Sequence, residues 1–301
     1  MALFSTKLIK TASIRLVSKS NRPYTIRYPR FVRAHVVGGL AFAFARGGST
    51  LLSNLLTVYC QRKKIAECAL FEQAFEQGVH TNEIQGDAAK LLKRPGILFT
   101  GFRHFPKFKF SMADRPAVLL VRDPRDMIVS TYFSVIKSHK IPDGNQGLVL
   151  DRKKSSAMDI DQFAIDRTSH YSMQFSRYRR HLSGVNLAVF RYEDVIYRKP
   201  DWLGEMIQHL HLPLDHKLIQ EVAEQFDIIP DEQDESKHIR QVHPGDHRSQ
   251  LQPATIEQLN RRLAEFLSVC EYPANPADNA GCQDDRQKLR FGGWKVIRRA
   301  A

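Results

Sequence analysis

Two short segments carry the residue types that hold phosphate-like anions. The first is Ala45-Arg46-Gly47-Gly48-Ser49-Thr50-Leu51. Two glycines let the backbone turn tightly and present successive N–H groups to an anion, and a helix starting near Ser49 or Thr50 adds the positive end of its dipole. Ser49 and Thr50 bring hydroxyls, and Arg46 a permanent charge. The absence of a Lys before Ser/Thr, and of a four-residue spacer, excludes a Walker A loop. The second segment is Val121-Arg122-Asp123-Pro124-Arg125-Asp126-Met127-Ile128-Val129-Ser130. Arg122 leaves the carboxyl end of an expected strand, the edge where open α/β sheets hold ligands. Ser130 falls about two turns into the next helix, so its hydroxyl meets the guanidinium only at an anion lying beside that helix. The plainer alternatives are a simple turn at the glycines and an Arg122–Asp126 pair with Ser130 at the surface.

Positioning these segments requires strands that end at them and helices that start from them. Leu40 to Ala45 reads as a buried strand, and Thr50 to Gln61 as a helix with Leu51, Leu52, Leu55 and Leu56 on one face. Ile97 to Gly101 and Ala117 to Val121 read as further strands, the second bounded by Pro116 and Pro124. Asp123 to Ser138 reads as a helix capped by Asp123, with Pro124 in its first position and Asp126 near the dipole. A polar stretch at 139–158 precedes a helix at 159–182 and a strand from Asn186 to Tyr192; helices follow at 200–211, 215–226 and 253–270. Strands alternating with helices predict an α/β three-layer fold, its mostly parallel central sheet flanked by helices. The division expected is a basic arm (1–35), one domain (36–272) and a polar tail (273–301).

Charge separates the arm from the domain. Of 45 Lys+Arg and 32 Asp+Glu in 301 residues, twelve basic and no acidic residues fall before Glu67, leaving 33 basic against 32 acidic groups in the body. A uniformly cationic polyanion binder is excluded, and no specific nucleic-acid target is expected. Residues 3–17 set Leu3, Phe4, Leu8, Ile9, Ile14, Leu16 and Val17 among Lys7, Lys10 and Arg15, a rough helical amphipath. Three readings stay open: an interfacial helix making peripheral contact with a membrane, a transit peptide, and a plain extension. The apolar run Val36 to Ala45 is about half of the ~20 residues a bilayer needs. Four cysteines without C-x-x-C spacing favour a reduced, cytoplasmic setting, at or away from a membrane surface. His209, His211 and His216 form no recognisable ligand set, and no metal is expected.

Taken in order, the two segments resemble the cytosolic-type sulfotransferases that use 3′-phosphoadenosine 5′-phosphosulfate. In that family P-[KR]-[ST]-G-[ST]-T-[WL] holds the 5′-phosphosulfate, and R-[DN]-P-[RK]-D-x-x-x-S holds the 3′-phosphate. Arg122 through Ser130 match the second pattern fully; in the first, Ala45 and Gly47 replace Pro and Ser, and Arg46 is similar to the bacterial branch. Val189-Phe190-Arg191-Tyr192-Glu193-Asp194 looks like the strand ending in Y-E-D. Arg240 to Arg248 looks like R-K-G-x-x-G-D-W-[KR], with Arg240, Gly245 and Asp246 retained; Gly292-Gly293-Trp294-Lys295 is a rival match to that loop. The resemblance implies a P-loop-like fold and sulfuryl transfer from the nucleotide donor, without a metal, to a hydroxyl acceptor; the polar 139–158 stretch and the basic arm point to a carbohydrate or lipid-linked one. It implies nucleotide contacts at Arg46, Gly47, Gly48, Ser49, Thr50, Leu51, Arg122, Ser130, Tyr192 and Arg240, and charge stabilisation at the leaving phosphate by Arg46. In Thr100-Gly101-Phe102-Arg103-His104 it implies His104 as base, where the family often has K-T-H. A nucleotide-dependent kinase and a non-enzymatic adaptor working through the basic arm are the alternatives. Oligomeric state has no signal in the sequence.

Overall fold

The computed structural model describes residues 10–30, 38–110, 112, 115–138, 146–227, 242–274, 290–291 and 294–297. Within them the chain runs β1 (Thr11–Val17), β2 (Pro23–Pro29), β3 (Gly39–Ala43), α1 (Ser49–Lys63), β4 (Glu67–Cys68), α2 (Leu70–Glu76), α3 (Asp87–Leu92), β5 (Leu98–Phe102), β6 (Ala117–Val121) and α4 (Pro124–Phe133). A π turn at Ser134–Ser138 ends α4. There follow α5 (Gln146–Ser155), α6 (Ile160–Leu182), β7 (Leu187–Arg191), α7 (Tyr192–Val195), α8 (Lys199–His209), α9 (His216–Gln225), α10 (His247–Gln250), α11 (Pro253–Arg262), α12 (Ala264–Val269), β8 (Arg290–Phe291) and β9 (Trp294–Ile297).

The expected three-layer α/β fold is present. The central sheet has the order β4-β5-β3-β6-β7-β9-β8, parallel except for β8. Both faces are buried, and the period of two decides which residue enters which core. Leu40, Phe42, Ala117, Leu119, Leu187 and Val189 pack on one face with α4, α6 and α12. Ala41, Ala43, Val118, Leu120, Ala188 and Phe190 face the other, under α1, α8 and α9. The carboxyl ends of β3, β6 and β7 therefore come together at one edge.

Three expectations need correction. Residues 11–17 are a strand rather than part of an amphipathic helix, paired antiparallel with β2. Ile14 and Leu16 alternate inward, and Leu16, Tyr24 and Ile26 join the main core. The hairpin edge is closed by α2: the Gln73 amide exchanges hydrogen bonds with the backbone of Arg27, and that of Gln77 with the backbone of Thr25. Two side chains one helical turn apart thus match alternate residues of a strand, covering an edge that would otherwise invite pairing. Second, the helix expected over 253–270 breaks at Leu263, whose φ of −106° and ψ of 11° leave the helical region. Third, the 139–158 stretch contains α5, and β9 at 294–297 extends the sheet beside β7. Trp294 is 1% exposed and meets Phe175 edge-on, so it is a core residue and not the tryptophan of a nucleotide loop.

Candidate active site

The chain leaves β3 through a turn in which Gly47 N–H donates to Phe44 C=O. Arg46 adopts φ +66° and Gly48 φ +90°. Gly48 is required twice over: its conformation is one that L side chains rarely adopt, and a Cβ there would sit 2.8 Å from Cδ2 of Tyr192. The first backbone bond of α1 runs from Leu52 N–H to Gly48 C=O, and no side chain caps the helix. The N–H groups of Gly48, Ser49, Thr50 and Leu51 thus fall outside the intrahelical ladder, at the positive end of the dipole. Ser49, Thr50 and Leu51 are half-buried there. The Arg46 side chain donates to Ser134 Oγ in the π turn. Burial lowers its pKa and the nearby Arg103 lowers it further, while Tyr171 opposes them. A guanidinium so placed favours an anion.

The second segment starts one strand over. Asp123 caps α4 by accepting from Arg125 N–H (2.9 Å), and Pro124 takes the first turn, as expected. Arg122 is 7% exposed, its guanidinium lies 4.6 Å from the centre of the Tyr192 ring, and its Nε has no hydrogen-bond partner among the described residues. The alternative Arg122–Asp126 pair is not formed. Asp126 instead accepts from Gly245 N–H (2.7 Å), His247 N–H (3.0 Å) and His247 Nδ1 (2.5 Å). Burial opposes its charge, but His247 and Arg122 outweigh that and hold the carboxyl down at about 2. Asp126 thereby ties the Gly245 loop to the start of α4. Arg125, 2% exposed, grips both oxygens of Asp123 and reaches Asn260 and the carbonyls of Pro273 and Ala274.

Tyr192 joins the two segments, with one ring edge against Gly48, a face under Arg122 and a hydroxyl donating to Val242 C=O (3.0 Å). Next to it Glu193 accepts from Asp123 N–H (2.9 Å) and the Tyr272 hydroxyl (2.8 Å), and burial pushes it up to about 7. Ser130 lies half-buried on α4.

His104 leaves β5, whose next-door loop is held by Ala45 N–H donating to Arg103 C=O (3.0 Å). Its ring centre is 6.0 Å from that of His80 and 5.9 Å from that of His170. Burial, then the charges of His170, His80, Arg103 and Arg177, push its pKa down to about 3, so the imidazole is neutral across ordinary pH.

The fold brings Arg46, Gly47, Gly48, Ser49, Thr50, Leu51, Arg122 and Tyr192 to one edge of the sheet, with His104 at the end of the neighbouring strand. Arg240 lies outside the described residues. Tyr171 belongs to no motif and Thr131 only follows the Arg122–Ser130 segment: the two hydroxyls lie 2.6 Å apart, and Tyr171 is buried close to both Arg46 and Arg122. Their one signal is helical phase, which turns Tyr171 and Tyr178 to the same side of α6. Among the described residues no cluster of three or more His, Cys, Asp or Glu is arranged to hold a metal ion, and no helix is long and apolar enough to cross a membrane.

A sulfotransferase domain model matches residues 40–270. No curated protein sequence matches the chain. Among solved structures, a mouse sulfotransferase, SULT7A1, complexed with PAP, is similar over 78% of this chain and 85% of that one, with 11% identity and a TM-score of 0.54, and it shares the fold. A retinol dehydratase with androsterone and inactive cofactor PAP aligns over 86% and 90% of the two chains at 15% identity and TM-score 0.48; a second, with retinol and PAP, does so over 86% and 97% at 13% and 0.49.

Proposed function

The chain belongs to the sulfotransferase domain family, and from that premise we propose that the edge formed by β3, β6 and β7 holds 3′-phosphoadenosine 5′-phosphosulfate while His104 activates a hydroxyl acceptor. The kinase and adaptor alternatives fall away with that membership. The backbone of Gly47 and Gly48, the first turn of α1 and the hydroxyls of Ser49 and Thr50 orient the 5′-phosphosulfate, beside Leu51. Arg122, Ser130 and the Arg240 segment take the 3′-phosphate, and Tyr192 fixes Arg122 from beneath. Metal ions have no part in this scheme.

In the reaction the acceptor oxygen forms a bond to sulfur as the bond from sulfur to the bridging oxygen of the 5′-phosphate breaks, giving a sulfated acceptor and adenosine 3′,5′-bisphosphate. His104 takes the hydroxyl proton. Arg46 and the helix N–H groups stabilise the charge that develops on the leaving phosphate; arginine stays protonated, so it stabilises without protonating. The protein's contribution is alignment and electrostatics rather than covalent chemistry, as in phosphoryl transfer. A low pKa keeps His104 free of a proton before the acceptor arrives, and the anionic donor raises its basicity once bound.

Arg122 is the decisive observation. A charged side chain 7% exposed, with a buried Nε lacking any partner among the described residues, is costly unless an anion completes it. Calorimetry with adenosine 3′,5′-bisphosphate tests this: saturable binding at micromolar nucleotide is expected, and its absence sinks the donor site. We take residues 36–272 as carrying the catalytic residues, with the β1–β2 hairpin of the basic arm packed into their core through Leu16, Tyr24 and Ile26, and β9 of the polar tail joined to their sheet. Exposed Lys10, Arg15, Lys19, Arg27 and Arg30 support contact of the arm with an anionic membrane surface, which sedimentation with phosphatidylserine vesicles measures. The acceptor is a hydroxyl compound, carbohydrate or lipid-linked.

A further inference from the structure

We infer that the acceptor is an acidic saccharide, its anionic group held by Arg177 and its hydroxyls met by Gln174 and His170, beside His104. This rests on the reading of His104 as the base and narrows what that base deprotonates.

The argument starts from the phase of α6. Residues 170, 174, 177 and 181 fall on one side of that helix by their spacing of three and four. Both ends of the stripe are fixed against the loop after β5: His170 lies 5.9 Å from His104, and His181 stacks on Phe105 at 4.5 Å with the rings 6° apart. The other side of α6 is occupied, with Phe175 on Phe266 and Trp294 and Arg179 on Glu265. Gln174 and Arg177 are therefore set between the two anchored histidines, along the wall beside His104.

Two groups on that wall lack what they need. Gln174 is 8% exposed, and its buried Oε1 accepts no hydrogen bond among the described residues. A buried amide oxygen of that kind calls for a donor, and a sugar hydroxyl supplies one. Arg177 pairs with no carboxylate among the described residues, and it stands close to His104, His170 and His181, adding its charge to the burial that lowers all three imidazoles. The neighbouring acids are engaged: Glu72 with Arg103, Asp151 with Arg167, Glu83 with Ser20. At His80 the Glu83 carboxylate opposes the exposed Lys107. The donor's own anions account for Arg46 and Arg122, which sit by Tyr171, and leave Arg177 without an anionic partner among the described residues. An uncharged apolar acceptor satisfies neither the excess charge nor the amide oxygen. An acidic, hydroxyl-bearing one satisfies both, through a carboxylate or a sulfate.

Equilibrium binding to the full chain loaded with adenosine 3′,5′-bisphosphate tests this with three probes: a glucuronate-terminated disaccharide, the same disaccharide bearing a sulfate in place of the carboxylate, and the neutral glucoside parent. At least one acidic probe is expected to bind about tenfold tighter than the parent, as one charge-assisted contact supplies. The advantage should fall to about twofold or less in Arg177→Ala and return in part in Arg177→Lys, and the two acidic arms identify which anion is preferred. Nucleotide binding measured in parallel reports folding of each variant. Equal binding of all three probes, binding of none, or a preference undiminished in Arg177→Ala overturns the inference. Loss of nucleotide binding by the wild type is a different result and overturns the donor site instead.

Discussion

The halves proposed for the donor and for the acceptor are built on opposite plans. Around the donor, polar groups interlock: Asp126 binds two backbone N–H groups and His247, Glu193 joins Asp123 to Tyr272, and Tyr192 spans Gly48, Arg122 and Val242. Around the acceptor the groups stand singly: His104 lies 6.0 Å from His80 and 5.9 Å from His170, and among the described residues the Gln174 amide oxygen accepts no hydrogen bond and Arg177 pairs with no carboxylate. A pre-bonded network gives a rigid mould for one ligand; isolated groups leave the ligand to supply the partners. The donor mould rests on backbone geometry, and the acceptor wall can change one residue at a time.

Four measurements break or sharpen that contrast. The largest effect is expected at the junction of the halves: His104→Ala should cut kcat by about 10²–10⁴-fold, the range for a general base, with the nucleotide Kd unchanged. Undiminished transfer removes His104 from the mechanism. In the wild type the acidic limb of kcat/KM against pH should lie below pH 5, because the free imidazole is pushed down to about 3. A limb near the ordinary histidine value would place a different group in control.

Next comes Arg122→Ala, expected to weaken nucleotide binding about 100-fold, as for loss of a buried charge contact, with little fall in Tm, since its buried Nε has no hydrogen-bond partner among the described residues and the contact with the Tyr192 ring is a modest loss. A large fall in Tm would mean that Arg122 serves the fold. Gly48→Ala should follow, destabilising by about 1–3 kcal/mol through its φ of +90° and the approach to Tyr192. Wild-type stability for that variant would show that the turn between β3 and α1 yields more readily than its geometry implies.

The smallest effect concerns Glu193. Burial raises its folded pKa from 4.5 to about 7, so the stability it contributes is full below pH 4.5 and is lost as pH rises through 7. Glu193→Gln should flatten that fall, a gain on the order of 1 kcal/mol at pH 7.5 with little change at pH 4.5, read from urea unfolding at the two pH values. Glu67, also raised to about 7 by burial, contributes in the same direction and remains in the variant.

The same contrast explains what could be read in the sequence. β3 and β6 are continuous apolar runs bounded by Gly or Pro, β7 is apolar up to Arg191, and both donor segments lie where such a run meets a helix start. Local patterning suffices for these. The hairpin escapes local patterning because TASIRLV is too short to separate a period of two from one of 3.6, and its pairing with β2 and with Gln73 and Gln77 exists only in the folded chain. β4 and β9 are two and four residues long, below what periodicity can detect. Nothing local marks Leu263 as a break. On the acceptor side, His80, His170, Gln174 and Arg177 belong to no contiguous motif, and α6 had to be docked against β5 before they became neighbours. In the sequence Asp126 reads as a dipole partner of α4; its grip on the Gly245 loop is a contact across more than a hundred positions of sequence.

The placement of β9 also bears on how the protein is made. β7, whose end carries Arg191, Tyr192 and Glu193, pairs on one side with β6 and on the other with β9, where Val189 faces Val296. During synthesis β7 emerges about a hundred residues before that second neighbour, so the nascent chain passes through a stage in which its donor-site strand is a bare sheet edge. Such long-range parallel pairing is slow to form and exposes strand edges to other chains. Removing residues 290–301 would hold the chain at that stage, with aggregation during expression as the outcome to look for.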